Sequence, residues 1–132
     1  MANEAAMRAF AKQFFDAVQN GDIDAIRASY APDVKIWHNT DGLETTREEN
    51  VATLEGFIQR IPRRSYENRR VQVFDGGFIQ QHDLRGVRAD GVEVLLPACI
   101  ICLVKDGAIT RLDEYFDSAH VARFIASPSA RT

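Results

Sequence analysis

Three Asp-Gly turns punctuate the second half of this chain, and they restrict its fold more than any other feature. They are Asp75-Gly76-Gly77, Asp90-Gly91 and Asp106-Gly107, and they separate four strand-like runs at 65–74, 78–88, 92–104 and 108–116. Asp-Gly readily adopts the positive φ values of a tight hairpin, so the runs are read as an antiparallel meander. Residues before 60 read mostly as helix. A meander preceded by helices buries one sheet face under them, and curvature of the sheet leaves a pocket on that face.

The helical half follows from spacing. Phe10, Phe14 and Val18 recur every four residues, widened by Met7, Ala11 and Phe15, which predicts a helix over 3–19 ended by Asn20-Gly21. Asp22 caps a second helix with Ile23, Ile26 and Tyr30 on its apolar face, closed by Pro32-Asp33. A short strand is expected at 34–38. Thr46-Arg47-Glu48-Glu49 is a capping box opening a third helix with Val51, Leu54, Phe57, Ile58 and Ile61, stopped by Pro62. After the meander, Asp117-Ser118 caps a short last helix. The order is α-α-β-α-β-β-β-β, an α+β arrangement in one domain over 1–126, with a loose tail at 127–132.

At 132 residues, 45% apolar and 27% charged, the chain has the composition of an ordinary globular domain. A net charge of −3 argues against nucleic acid as a partner, since phosphate binding draws on a basic excess. Arg60, Arg63, Arg64, Arg69 and Arg70 are read as a solvated connector and exposed strand face, with an anion-binding patch as the alternative. The start lacks the pattern of a signal peptide and no run reaches membrane-helix length, so a cytoplasmic protein without membrane contact is expected. Cys99 and Cys102 have CxxC spacing but lie in a strand-type run, where side chains three apart face opposite ways. They are expected to be free thiols. The three histidines have no metal-ligand spacing, and neither metal nor cofactor is expected.

Several phrases carry a resemblance: Gly21-Asp22-Ile23-Asp24-Ala25-Ile26, Tyr30-Ala31-Pro32-Asp33-Val34, Ile36-Trp37-His38, Asp106-Gly107-Ala108-Ile109 and Asp113-Glu114-Tyr115-Phe116-Asp117. In this order the chain resembles the nuclear transport factor 2-like superfamily, and within it the SnoaL-like (polyketide cyclase) branch. The resemblance implies a cone, a curved sheet wrapped around helices with an apolar pocket open at one end. Cyclases, ketosteroid isomerases, dehydratases, epoxide hydrolases and pure binding proteins share that fold, so it does not fix the chemistry. In register with the isomerases, His38 falls at their general base, Phe14 at their donor tyrosine and Cys99 at their protonated aspartate. Neither replacement is a good donor, which argues against isomerase-type enolate stabilisation. The epoxide hydrolases place a carboxylate where Glu114 stands, with Asp83 and Arg85 as the nearest counterparts of their remaining network.

From the residues themselves, His38 shares a strand face with Ile36 and titrates near neutrality, which makes it the foremost acid/base candidate. Glu114 shares a face with Leu112 and Phe116; a carboxylate there needs a partner, and His38 or His82 can be one. His82 shares a face with Gln80 and Leu84. His120, on the last helix, is expected to be exposed. Phe14, Tyr30, Trp37, Leu54, Phe57, Cys99, Leu112 and Phe116 are the expected pocket residues, with Trp37 and Tyr30 placed to stack on a planar ligand. The expected function is cofactor-free isomerisation, cyclisation or dehydration of an apolar, cyclic or carbonyl-bearing small molecule. The alternative is a metabolite-binding or accessory module. The meander strand at 92–104 is apolar on both faces, which predicts a homodimer formed through the sheet.

Overall fold

The computed structural model describes residues 3–125, so the tail expected at 127–132 lies outside the described residues. The elements are α1 (Glu4–Asn20), α2 (Ile23–Ser29), β1 (Tyr30–His38), β2 (Glu44–Thr45), α3 (Arg47–Arg60), β3 (Arg63–Phe74), β4 (Gly77–Val87), β5 (Glu93–Lys105), β6 (Ala108–Phe116) and α4 (Ser118–Ile125). The six strands form one mixed, curved sheet in the order β2-β1-β6-β5-β4-β3. All neighbours are antiparallel except β1 and β6. The expected α+β class and meander stand as read.

Local chemistry explains the boundaries. The Asn3 side chain accepts from the Ala6 amide at 2.6 Å, and Gly21 at φ 72° receives the end of α1 in the left-handed region. Asp22 accepts from Ala25 to start α2, and the Thr46–Glu49 capping box is complete in both directions. Asp106 and Gly107, at φ 52° and 77°, form the tight turn between β5 and β6. Three features differ from expectation. β1 begins at Tyr30, not 34, because it pairs with β6 from that end, and two-residue β2 appears only as its edge partner. β3 bulges between Glu67 and Arg70, with Asn68 at φ 54° and bonded to Asp83 at 2.9 Å.

The helices cover one sheet face. Phe14, Phe15, Val18, Ile26, Ile36, Phe78, Ile109 and Leu112 form the larger apolar cluster, while Ile61, Leu84, Val94, Leu96 and Phe124 form a second. Fully burying a residue such as Phe15 or Phe78 contributes roughly 2–3 kcal/mol, so the first cluster dominates stability. Part of the arginine run is structural. Arg64 donates to the carbonyls of Ile58, Ile61 and Gln19, tying the end of α3 to the end of α1. Arg69 bonds Asp16 at 2.7 Å, whereas Arg60, Arg63 and Arg70 are exposed. Arg88 and Asp90 form a buried ion pair, and Arg88 also donates to the Arg123 carbonyl at 2.9 Å, which fastens α4 to the β4–β5 turn. Among the described residues, no helix is long and apolar enough to cross a membrane.

Candidate functional site

The inner sheet face follows from strand alternation. On β4 it carries Phe78, Gln80, His82 and Leu84, and on β5 Val94, Leu96, Ala98, Ile100 and Cys102. Register then aligns residues across the sheet. Gln80 lies opposite Ile100, Ile100 opposite Glu114, and Glu114 beside His38. One step along, His82 lies opposite Ala98 and Ala98 opposite Phe116. Four polar side chains therefore meet the same inner face, between the two apolar clusters.

His38 and Glu114 are brought together. His38 Nε2 lies 3.1 Å from Glu114 Oε1, with the side chains 21% and 18% exposed. Parallel pairing of β1 with β6 produces this contact, and the Asn39 amide donates to the Glu114 carbonyl to hold the strand ends in register. Burial disfavours the imidazolium, but the hydrogen bond and charge of Glu114, helped by Asp41, outweigh it and raise His38 above its ordinary value. When the ring is neutral, Nε2 carries the hydrogen donated to Glu114, and Nδ1 holds the lone pair. Among the described residues, no group donates to that Nδ1. Phe116 stacks on the imidazole at 5.7 Å and 17°, fixing its plane.

His82 stands apart from this pair. It is 4% exposed, sits between the rings of Phe15 and Tyr66, and burial pushes it down to about 4, against the opposing pull of Glu114. Its ring is neutral at pH 7, and its hydrogen-bond partner is Gln80 at 2.9 Å. Tyr30 is buried and donates to Asn50 at 2.7 Å; burial raises its phenol far above the usual range. Burial likewise raises the Cys102 thiol, leaving it unreactive.

The remaining candidates divide. Phe14 and Leu112 are core, while Leu54, Phe57 and Phe116 are half-buried along the inner side. Trp37 and Cys99 are corrections. Alternation turns both to the outer face, where Trp37 packs edge-on against Tyr115 at 5.3 Å, so neither lines the space near His38. Asp83 and Arg85 also face outward, bonded to Asn68 and Glu67, and no second carboxylate of the hydrolase type joins Glu114 from them. His120 is half-buried rather than exposed, with its Nδ1 unbonded. Cys99 and Cys102 are free thiols on opposite faces, as spacing implied. Gln80 was missed, because polar residues occur on both faces of 78–84 and its alternation does not single it out. The described residues contain no cluster of three or more metal-ligating side chains. A groove of about 730 Å³ is lined by outward-facing Arg70, Gln81, Asp83, Cys99 and Tyr115 and also reaches His82 and Ala98, while His38 and Glu114 lie outside its lining.

A curved sheet covered by helices on one face, with His38 and Glu114 in contact on that face, is the architecture in hand. The chain belongs to the SnoaL-like domain family, whose model matches residues 11–112. Among solved structures it is similar to a candidate polyketide cyclase from Xanthomonas campestris pv. campestris, with 22% identity, TM-score 0.82, and 95% and 100% of the two chains covered. It is also similar to a nuclear transport factor 2-like protein of unknown function from Burkholderia pseudomallei, with 17% identity, TM-score 0.79, and coverage of 96% and 100%. An LEH-like epoxide hydrolase from M. tuberculosis matches at 20% identity and TM-score 0.74, over 91% and 88% of the chains. At these identities the likeness is one of fold. No curated protein matches the chain.

Proposed function

We propose that this protein catalyses proton transfer on an apolar, cyclic or carbonyl-bearing small molecule, giving isomerisation, cyclisation or dehydration without a cofactor. The 3.1 Å contact between His38 and Glu114 carries this reading. Glu114 orients the ring and offsets the charge that forms on it, and His38 Nδ1 accepts a proton from a carbon next to a carbonyl. The half-buried apolar side chains of Leu54, Phe57 and Phe116 supply the walls that hold the molecule. Phe116 serves twice, because it also fixes the imidazole plane.

The rival reading is a protein that holds a metabolite unchanged, and the same walls would serve it. Exchange of ketone α-hydrogens for solvent deuterium separates the two without knowledge of the product. Wild-type protein is expected to accelerate exchange into a panel of cyclic ketones, and Glu114→Gln and His38→Gln to slow it by about 10²–10⁴-fold. Exchange at the uncatalysed rate throughout the panel, with ketones shown to bind, supports the rival.

A further inference from the structure

We propose that Asn39 is a positioning residue for the His38–Glu114 pair, its backbone and side chain together bracketing the end of β6 and holding Glu114 and Phe116 against the imidazole. The inference rests on the acid–base reading above, for it names the group that keeps that couple assembled.

Asn39 is the first residue beyond β1, and the ladder of β1 with β6 has its last pair at His38 and Glu114. In a parallel ladder, a residue donates its N–H to the carbonyl just before its partner and accepts from the N–H just after it. Carried one residue further, the ladder would set Asn39 beside Tyr115, with Glu114 and Phe116 supplying those two groups. Half of that pairing is made in the ordinary way, since the Asn39 N–H donates to the Glu114 carbonyl at 3.0 Å. The side chain makes the other half. The chain turns over 39–41, with the Gly42 amide donating back to the His38 carbonyl at 2.9 Å, and the Phe116 N–H donates to Asn39 Oδ1 at 3.0 Å. An Asn side chain is short enough to stand in for a backbone carbonyl in this way.

The two bracketed residues are the two that touch the His38 ring. Side chains two apart share a strand face, so Glu114 reaches His38 by the 3.1 Å contact and Phe116 by the stack at 5.7 Å. Tyr115, between them, points outward and meets Trp37 edge-on. On its other side this end of β6 pairs with β5, Tyr115 with Cys99 and Phe116 with Ala98. The bond from Phe116 to Asn39 therefore carries the grip of β1 one residue past its last ladder pair. Without it, β6 stays attached to β5 while the strand bearing His38 is free to part from the strand bearing Glu114. A displacement well under 1 Å matters there, because a reacting pair is sensitive to misplacement on that scale. Asp41, the other charge that acts on His38, lies in the same turn and accepts from the Leu43 amide at 2.9 Å.

The test follows the histidines by NMR in the full chain, comparing wild type with Asn39→Ala, Asn39→Asp and Glu114→Gln. Asn39→Ala removes Oδ1 and keeps the backbone N–H; Asn39 is exposed, so the truncation empties no core. It is expected to lower the His38 titration toward its ordinary value and to diminish the ring-current shift that Phe116 places on the His38 protons. Asn39→Asp keeps an acceptor of the same length, and is expected to retain that ring-current shift while its added charge holds His38 at or above the wild-type value. Deuterium exchange into the cyclic ketones should slow by about tenfold in Asn39→Ala and by less in Asn39→Asp. A His38 titration and ring-current shift both unchanged in Asn39→Ala overturn the proposal, and so does loss of the ring-current shift in Asn39→Asp. Glu114→Gln separates the two readings. If His38 responds to Glu114→Gln and not to Asn39→Ala, the bracket alone is refuted. If His38 does not respond to Glu114→Gln, the acid–base reading falls, while a ring-current shift lost in Asn39→Ala still supports the bracket.

Discussion

His38 and His82 share one inner face and respond to pH in opposite senses. His38 is raised above 6.5, because Glu114 favours its charged form more than burial opposes it. The folded state therefore binds this proton more tightly than the unfolded chain. Its contribution to stability is complete below about pH 6.5 and is lost as pH rises through the folded value. His82 falls from 6.5 to about 4 through burial, so its contribution is complete above about pH 6.5 and is lost as pH falls toward 4. That span is worth roughly 3 kcal/mol. Urea unfolding of wild type should weaken between pH 6.5 and 4, and His82→Gln should flatten that side of the curve. An unchanged acid slope in the variant would mean that other groups carry it. Gln80 escaped sequence reading for a related reason. Its burial beside His82 is a matter of three-dimensional packing.

Elements were more legible than contacts. The capping box, the Gly21 stop and the Asp-Gly turns gave helix ends and hairpins because each rests on backbone chemistry confined to a few residues. Period-two alternation grouped Glu114 with Leu112 and Phe116 on the apolar face, which is the inner one, but it left the facing of His82 open, and of the two cysteines it is Cys102, not the expected Cys99, that is buried inward. It also turned Trp37 away from His38, so its expected place in the pocket depended on aromatic character and not on geometry. Short β2 and the β3 bulge have no local signal, since both arise from pairing with distant strands. The buried Arg88–Asp90 pair was hidden for the same reason: a charged turn reads as solvated until α4 covers it. Two glycines test the element scale in opposite directions. A Cβ at Gly77 would meet the Cys102 carbonyl at 2.1 Å, so Gly77→Ala should cost roughly 2–4 kcal/mol in denaturant unfolding. In mid-helix Gly56, the nearest atom is the far end of Arg60 at 3.5 Å, and Gly56→Ala should stabilise by roughly 0.5–1 kcal/mol. A neutral Gly77→Ala would contradict the β4–β5 register.

The whole molecule presents two unlike sheet faces. The inner one holds the His38–Glu114 pair; the outer one leaves Leu95, Leu103 and Tyr115 exposed at 40%, 42% and 44%. The same outer face carries both signs of charge, Arg85 and Arg111 beside Glu67, Glu93 and Asp113, which lets a second copy related by a two-fold axis find complementary partners. We propose a homodimer through this face. Light scattering at micromolar concentration should give twice the 14.8 kDa chain mass, and Leu103→Lys should shift it toward monomer. A wild-type monomer would refute the pairing. Since His38 and Glu114 lie on the opposite face, dimerisation is expected to leave that pair uncovered.

The central claim is that Glu114 and His38 act as one acid–base unit, and NMR titration of the histidines in wild type and Glu114→Gln tests it most directly. The account predicts that His38 titrates above its ordinary value of 6.5 in wild type and falls in the variant, because the carboxylate's charge and hydrogen bond are what raise it. His82, held low mainly by burial, should stay well below 6.5 in both proteins. A His38 titration that does not move when Glu114 loses its charge would show that the pair is not coupled, and the proton-transfer reading would fall with it.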